Sequence, residues 1–421
     1  MKKNPFFTII IPTRNGSTTI IPTLQTILNQ NFRNFEVIIS VNHKEKTNKT
    51  ISILKKIKDK RVKIFNTNKD LSMSENWEYA LEKKIRGKYI TFIGDDDAFT
   101  INAFEKASNL IKKYKIKILT WGLSGEYFWP NTGNYDANFL YLKSSGELIL
   151  QKSSEIVKKV LNYNCSYTDL PMLYNSFIEK KIINNFKKKN KKFFLSRTPD
   201  VFSGFVIASS SEFFYRYNYP LQIAGVSKKS NGNAFFHKKK KFVAASRDFR
   251  KLKNIQFENN LVYAPSFPIL TMESFLKAKN KIDNFKNFKI DLRRMMYEAF
   301  NETRNHPNRV KIEVVRALKI IGDLNNLKDW YKFLKAKKFR NIITPKPVER
   351  ISNTRKHYIL NLNKKDIKNV FDMCKYIEKR KILSSKQSIF YYFFYQIVYY
   401  FKIILKEYFY KYLLLKFYFE K

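Results

Sequence analysis

Short apolar runs alternate with amphipathic stretches through the N-terminal part of the chain. The runs are rich in Ile, Val and Phe and predict buried strands, whereas the stretches between them carry apolar residues three and four positions apart and predict helices. Strands that alternate with helices over short connections favour a parallel sheet covered by helices, so the predicted fold class is α/β with a mostly parallel sheet. The predicted strands are 6–11, 35–40, 62–65, 89–93 and 116–121. Two predicted helices begin at Thr18 or Thr19 and at Ser72 or Ser74, and two further predicted helices cover 50–57 and 103–115.

The pattern after residue 125 is mixed and then becomes helical and basic. Within the mixed part it predicts helices at 155–161, 169–185 and 201–209 and strands at 193–195 and 223–227. From residue 267 onward it predicts a helical C-terminal region with helices at 273–279, 291–303, 309–321 and 328–337, and the two prolines within 341–350 predict a linker.

The chain is strongly basic, with 81 Lys and Arg against 35 Asp and Glu and a formal charge of +46. This charge is compatible with nucleic-acid binding, with attraction to an anionic membrane surface, or with the Lys-rich composition of an AT-rich genome spread over solvated faces. Because no helix-turn-helix, zinc-finger or RNA-binding aromatic signature is present, no nucleic-acid partner is predicted.

Missing phosphate-binding motifs and the spacing of the cysteines argue against several other classes of protein. Neither GxGxxG nor GxxxxGK[ST] occurs in the N-terminal layer, which disfavours a dinucleotide-binding fold with that fingerprint and a P-loop NTPase. The two cysteines, Cys165 and Cys374, lie far apart without metal-ligand spacing, which favours a reducing compartment and argues against a disulfide framework or a zinc site.

Two stretches predict where the protein acts. No apolar signal stretch precedes the first predicted strand, so we expect a cytoplasmic protein. Near the other end, residues 389–401 carry Gln396 as their one polar side chain other than tyrosine, and lysines interrupt the apolar residues that follow. This run is too short to span a bilayer comfortably, but its aromatics and lysines suit a helix lying among lipid headgroups, with an ordinary core or oligomer helix as the alternative. The segment 386–421 is therefore predicted to hold the protein at the inner face of the cell membrane.

Three adjacent aspartates, Asp95, Asp96 and Asp97, follow Gly94 at the end of the fourth predicted strand. Adjacent carboxylates repel each other unless a cation or strong donors neutralise them. The carboxyl edge of a parallel sheet is where ligands bind in α/β folds, and carboxylates there can hold Mg²⁺ or Mn²⁺ against a diphosphate. The alternative is a solvated turn or the cap of a helix that begins near Asp97.

Three segments in this order resemble family 2 glycosyltransferases, which have the GT-A fold. The segment 8–15, TIIIPTRN, is similar to the opening strand and loop of that family, and 30–39, QNFRNFEVII, is similar to its Q-x-x-x-x-F-E run. The segment 87–97, GKYITFIGDDD, is similar to the strand that ends in the DXD motif. The clear similarity covers about residues 5–100 and becomes looser to about residue 240.

The resemblance implies a donor site for a nucleotide-sugar. Gly94 stands where many members have an acid, so Asp96 and Asp97 are the predicted metal ligands for Mn²⁺ or Mg²⁺, with Asp95 in support. The residues that the resemblance assigns to donor binding are Pro12, Thr13, Arg14, Asn15, Asn42 (near the base), Asn76 (near the diphosphate), Asp95 and Asp96.

Members of the family invert the anomeric centre and need a general base for the acceptor hydroxyl. That base is an Asp about a hundred residues after the DXD motif, a distance that selects Asp200 and leaves Asp169 and Asp248 as weaker candidates. A helix cap is the alternative role for Asp200. The segment 225–232 has the composition of a phosphate or acceptor loop, or of an ordinary surface loop, and His237 is a possible metal ligand or a structural histidine.

The sequence therefore predicts a metal-dependent, inverting glycosyltransferase that uses a nucleotide-sugar donor and a saccharide or lipid-linked saccharide acceptor, in bacterial surface polysaccharide or lipopolysaccharide synthesis. The alternatives are a nucleotidyltransferase and a non-catalytic basic membrane-binding protein. The predicted domains are a GT-A domain over 1–260 (donor half about 1–125, acceptor half about 126–260), a helical region over 261–345 and a basic helical region over 346–421.

Overall fold

A computed structural model of the chain describes residues 4–45, 48–132, 136–230, 255–335, 356–363 and 365–383. The strands in these ranges are β1 (Phe7–Thr13), β2 (Phe35–Val41), β3 (Val62–Asn66), β4 (Tyr89–Phe92), β5 (Ala98–Phe99), β6 (Ile118–Thr120), β7 (Gly125–Phe128), β8 (Phe139–Ser144), β9 (Leu148–Lys152), β10 (Ser176–Glu179), β11 (Phe213–Tyr217), β12 (Gln222–Val226) and β13 (Lys356–Asn361). The helices are α1 (Ile20–Leu28), α2 (Lys49–Leu54), α3 (Met73–Leu81), α4 (Ala103–Tyr114), α5 (Ser153–Leu161), α6 (Lys180–Asn190), α7 (Pro199–Ser209), α8 (Phe267–Lys279), α9 (Leu292–Glu302), α10 (Asn308–Leu324), α11 (Lys328–Lys335) and α12 (Val370–Lys379).

The large sheet has the strand order β3-β2-β1-β4-β10-β6-β11-β9, and β3, β2, β1 and β4 are mutually parallel. Successive residues of a strand face opposite sides of a sheet, and here both sides are apolar. Ile10 of β1 packs in the cluster that contains Trp77 of α3, whereas its neighbour Ile9 packs in the cluster that contains Leu24 of α1. A sheet buried on both faces by crossover helices confirms the predicted α/β fold class with a mostly parallel sheet.

Two polar residues of the sequence motifs fix this layer from inside. The Gln30 side chain donates to the carbonyls of Thr26 and Thr100, both at 2.9 Å. The buried Glu36 carboxylate accepts from Thr8 at 2.9 Å and from the Lys63 ammonium at 2.7 Å. Buried polar groups with such complete partners hold a single arrangement of strands and helices.

A second sheet, with the order β13-β8-β7-β12-β5, lies beside the carboxyl end of β4. Strand β5 follows the three aspartates directly and pairs antiparallel with β12, which also runs parallel to β7. This pairing brings the residues that follow β12 to the aspartates, although more than a hundred residues separate them along the chain.

The helix predicted over 169–185 is wrong. The chain instead forms a 3-10 turn at Tyr167–Asp169, then β10, and begins α6 at Lys180. Pro171 disfavours helical backbone at Leu170, and β10 fills the gap between β4 and β6 with antiparallel pairing to both. Residues 193–195, predicted as a strand, lie outside regular structure, and the N–H groups of Phe193 and Phe194 donate to the Glu78 carboxylate at 2.7 and 3.0 Å.

The helices α8 to α12 confirm a helical C-terminal region, but β13 is a strand within the stretch predicted to be helical. It pairs antiparallel with β8 over Lys356–Asn361 and so completes the second sheet. The predicted linker 341–350 and the segment 386–421 lie outside the described residues. Among the helices of the described part of the chain, none combines the length and the apolar character that crossing a membrane requires.

Candidate functional site

Three chain segments meet at the carboxyl edge of the large sheet: the end of β1, the turn after β4 and the turn after β12. Strands β1 and β4 are parallel neighbours, so their carboxyl ends lie side by side. Strand β12 arrives from the second sheet through its pairing with β5. The site therefore depends on both sheets.

Asp97 is the most enclosed carboxylate of the three, with none of its surface exposed. Burial and then the charge of Asp96 raise its pKa, because both disfavour the ionised form. Both carboxylate oxygens are engaged by protein donors, an arrangement that anchors the turn. The donors are the Gly225 N–H on Oδ1 at 2.7 Å and, on Oδ2, the Gly94 N–H at 2.9 Å, the Tyr174 hydroxyl at 2.5 Å and the Gln222 amide at 3.1 Å.

Asp96 faces the turn that follows β12. Its Oδ2 accepts from the hydroxyl of Ser227 at 2.7 Å and from that of Ser230, and burial raises its pKa. The Asp96 carbonyl accepts from the Trp129 indole at 2.9 Å. Gly225 makes this close approach possible, because a Cβ there would lie 1.7 Å from the Asp96 carbonyl oxygen.

Asp95 lies on the side of β1. Its Oδ2 accepts from the Thr13 hydroxyl, and a Cβ on Gly16 would lie 2.1 Å from the same oxygen. The Lys229 ammonium donates to the Asn15 carbonyl, and its charge lowers the pKa of Asp95, which burial and Asp96 raise on balance. The ammonium thus offsets part of the repulsion among the carboxylates.

A divalent cation such as Mg²⁺ or Mn²⁺ needs oxygen ligands, which carboxylates supply. Within the described ranges no group of three His, Cys, Asp or Glu side chains is arranged to hold a metal ion. Asp95 accepts one hydroxyl hydrogen bond, from Thr13, and Asp96 accepts from the hydroxyls of Ser227 and Ser230, so each carboxylate keeps an oxygen for which no side-chain donor is assigned. Two carboxylates fit Mg²⁺ or Mn²⁺, which commonly take one or two protein carboxylates and complete their shell with water and phosphate oxygens.

Two residues predicted to contact the nucleotide, Asn42 and Asn76, lie near the carboxyl ends of β1 and β2. Asn42 is buried, and its amide donates to the Leu71 carbonyl at 2.7 Å and accepts from the Leu71 N–H at 2.9 Å. Asn76 is also buried and accepts from the Ser40 hydroxyl at 2.6 Å. These contacts fix the orientation of both side chains, and the roles of both residues in donor binding stay predictions.

The loop after β1 is more open. Arg14 places one guanidinium nitrogen 3.4 Å from the Asp70 carboxylate, and its Nη1 is buried without a hydrogen-bond partner. Asn15 is exposed and adopts a left-handed backbone with φ of 60°, and Pro12 is half-buried. An unpaired guanidinium N–H at the edge of a cleft suits a phosphate oxygen.

Asp200, predicted to be the base, lies in the first turn of α7 after Pro199. Its Oδ1 is buried without a hydrogen-bond partner, and burial raises its pKa. Tyr174 donates its hydroxyl to Asp97, and burial and then the charges of Asp97, Asp96 and Asp200 raise its pKa, so this tyrosine is near both the aspartate turn and Asp200.

The other predicted candidates divide into two groups. Asp169 forms an ion pair with the buried Arg216, which gives it a structural partner. Asp248 and His237 lie outside the described residues. Residues 225–230 of the predicted loop do lie at the site, whereas Tyr174, Gln222 and Trp129 were missed because only tertiary pairing brings them there.

Comparison with known proteins places this site in a family context. Residues 8–153 match the family model described as glycosyl transferase family 2. An uncharacterized glycosyltransferase of Haemophilus influenzae is 34% identical over 109 residues, which are 25% of this chain and 42% of that protein. One from Rickettsia bellii is 36% identical over 99 residues, which are 23% of this chain and 14% of that protein. The chain thus spans less than half the length of either relative.

Among solved structures, S. aureus TarS 1-349 in complex with UDP-GlcNAc covers 80% of this chain and 93% of its own, with 15% identity and a TM-score of 0.45. The family match covers β1 to β4 and the three aspartates. Over residues 8–153, about a third of its length, the chain is similar to glycosyl transferase family 2.

Proposed function

We propose that the protein is a metal-dependent, inverting glycosyltransferase that moves a sugar from a nucleotide-sugar to a saccharide acceptor. The observation that carries the proposal is the meeting of Asp95 and Asp96 with the loop after β1 at the carboxyl edge of the sheet. The family match over residues 8–153 supports the same activity.

In this proposal Asp95 and Asp96 hold Mn²⁺ or Mg²⁺. When bound, the cation neutralises the charge that develops on the leaving nucleoside diphosphate. The contacts favour this pair over the predicted pair of Asp96 and Asp97, because four protein donors already occupy both oxygens of Asp97. Arg14 and Lys229, beside the loop after β1, supply further positive charge for the diphosphate.

Asp200 is the proposed general base. An inverting displacement needs a group that takes the proton of the acceptor hydroxyl on the face opposite the leaving group. The free, buried Oδ1 and the raised pKa of Asp200 support this role, since a base is most effective when its pKa approaches the working pH.

The acceptor is proposed to be a saccharide, free or lipid-linked, of a surface polysaccharide. A charge of +46 and the aromatic, lysine-flanked sequence of 386–421 support work at an anionic membrane surface. Deleting 386–421 is expected to move the protein from the membrane fraction to the supernatant, and an unchanged distribution would refute the anchor.

Turnover of nucleotide-sugars tests the proposal. A thermal-shift screen identifies a donor, and hydrolysis and transfer are then measured with and without Mn²⁺. Asp96→Asn is expected to lose at least about 100-fold in both reactions, and Asp200→Asn to lose about 100-fold or more in transfer while donor affinity stays within twofold. Asp323→Asn, at an exposed site on α10, is the matched control.

Three results would contradict the proposal. Turnover that is independent of metal would rule out Asp95 and Asp96 as metal ligands. Full activity of Asp200→Asn would exclude Asp200 as the general base. Release of pyrophosphate in place of a nucleoside diphosphate would identify a nucleotidyltransferase instead.

A further inference from the structure

Two aromatic rings stack beside the helix that carries Asp200. Tyr167 opens the 3-10 turn Tyr167–Asp169, and Phe267 is the first residue of α8. Their ring centroids are 5.5 Å apart and their planes differ by 26°, and both residues are partly exposed. The 3-10 turn packs against α7, whose first turn contains Asp200. An open aromatic surface therefore adjoins the proposed base.

Two carboxylates adjoin this surface. Glu302, the last residue of α9, accepts from the Phe267 N–H at 3.3 Å through Oε1, and its buried Oε2 has the Ser266 hydroxyl as a neighbouring donor. Asp200 Oδ1 is buried without a hydrogen-bond partner. A buried acceptor that lacks a donor is destabilising, so Asp200 Oδ1 favours a ligand that brings a hydroxyl group.

Acidic side chains lie around the surface, and burial raises the pKa of each of them, that of Glu302 to about 7. Burial raises the pKa of Tyr167, and the carboxylates of Asp200, Glu302 and Glu126 raise it further. These three acids come from α7, α9 and β7, so the fold brings them around one hydroxyl from distant parts of the chain. A ligand with its own negative charge would be repelled here.

Contacts outside the surface hold its two halves in place. Arg216 binds Asp169 at the end of the 3-10 turn, and the Tyr163 hydroxyl donates to the carbonyl of Pro268 in the first turn of α8 at 3.4 Å. The stacked pair is therefore positioned before any ligand arrives, which lowers the entropy cost of binding.

We propose that Tyr167 and Phe267 form the acceptor subsite and that it takes an uncharged sugar ring, stacked on the aromatic surface with hydroxyls donated to Asp200 and Glu302. An aromatic wall with a few convergent polar groups is the usual composition of a small-ligand site. The inference rests on the proposed function, because it takes Asp200 as the base, and it adds the class of acceptor: neutral saccharides are favoured over acidic or phosphate-bearing ones.

The test measures binding to the full chain by saturation-transfer NMR. The probes are the methyl glycosides of glucose, galactose, mannose and N-acetylglucosamine, and the methyl uronides of glucose and galactose. At least one neutral glycoside is expected to bind, and the uronides at least about tenfold more weakly, a difference of about 1.4 kcal/mol. Tyr167→Ala is expected to weaken the neutral glycoside at least tenfold, with Tyr215→Ala on β11 as a control for a partly exposed tyrosine.

Glu302→Gln keeps the shape of the side chain and removes its charge, so it is expected to bring uronide binding to within about threefold of the neutral glycoside. A wild-type protein that binds no neutral glycoside, a uronide that binds as well as its neutral counterpart, or a Tyr167→Ala protein with unchanged binding would each overturn the subsite. Donor hydrolysis is measured on the same samples: normal hydrolysis without glycoside binding refutes the subsite alone, whereas glycoside binding without donor turnover supports the subsite and refutes the proposed function.

Discussion

Replacing Gly225 is expected to destabilise the packing at the aspartate turn strongly. A Cβ at this position would lie 1.7 Å from the carbonyl oxygen of Asp96, 2.6 Å from its carbonyl carbon and 2.9 Å from the Trp129 indole nitrogen. Real Cβ contacts essentially never fall below 3.0 Å, so Gly225→Ala requires the two backbones to separate by 3.0 − 1.7 = 1.3 Å. No side-chain rotation relieves this contact, because both partners are backbone.

The free energy follows from what such a separation breaks. Overpacking of a well-packed site costs about 1–3 kcal/mol. The bond from the Gly225 N–H to Asp97 and that from Trp129 to the Asp96 carbonyl, at 2.7 and 2.9 Å, would both be stretched, at about 1–2 kcal/mol each. We therefore expect Gly225→Ala to lower the free energy of unfolding by about 3–7 kcal/mol.

Urea unfolding followed by circular dichroism measures this loss. Gly146→Ala is the matched control, because a Cβ at Gly146 meets nothing within 4 Å and its cost comes only from a φ of +73°. That backbone strain is worth about 1–2 kcal/mol. A loss for Gly225→Ala no larger than that for Gly146→Ala would refute the steric reasoning.

Three further outcomes are expected. Tyr174→Phe removes a hydroxyl donor to the buried Asp97 and should lower the free energy of unfolding by about 1.5–3 kcal/mol in urea; a loss below about 0.5 kcal/mol would contradict the anchoring role. Burial raises the pKa of Glu273 from 4.5 to about 7, so the stability that protonated Glu273 contributes is fully present below pH 4.5 and is lost as the pH rises to about 7. Glu273→Gln should therefore flatten the fall in the free energy of unfolding between pH 4.5 and pH 7, and the control Glu105→Gln, at an exposed position, should leave that fall unchanged. Lys229→Met removes the ammonium beside the aspartates and should weaken donor binding about tenfold by calorimetry, with unchanged affinity contradicting its proposed contact with the diphosphate.

The order of strands and helices was readable from the sequence where one face of each helix and both faces of each strand are apolar. The helix that Ser72 was predicted to cap begins at Met73, and Ser72 and Glu75 form a capping box. The pattern failed over 169–185, because a short apolar run fits a buried strand as well as a helix and the choice depends on pairing with β4 and β6.

The sequence predicted only those parts of the candidate site whose residues are neighbours along the chain. Adjacent acids after a strand and a Gly, Ser and Lys-containing loop both indicated ligand binding, and both lie at the site. Gln222 and Tyr174 carry no local signal, since an amide and a phenol become donors to Asp97 only after two sheets have assembled. Which aspartate is fully hydrogen-bonded by protein donors depends on the tertiary fold and cannot be inferred from the local sequence.

The completion of the second sheet by β13 and α12 has a consequence for biosynthesis. Asn138 of the second sheet donates to the carbonyls of Leu362 and Ile367 at 3.2 Å, and Cys374 of α12 lies 3.5 Å from the carbonyl of Phe99 in β5. From Asp97 to the end of this region at residue 383 are 383 − 97 = 286 residues, which take roughly 15–60 s to translate at about 5–20 residues per second. During that interval the second sheet lacks β13 and α12, so the sheet that encloses the aspartate turn can be completed only after the last third of the chain has emerged.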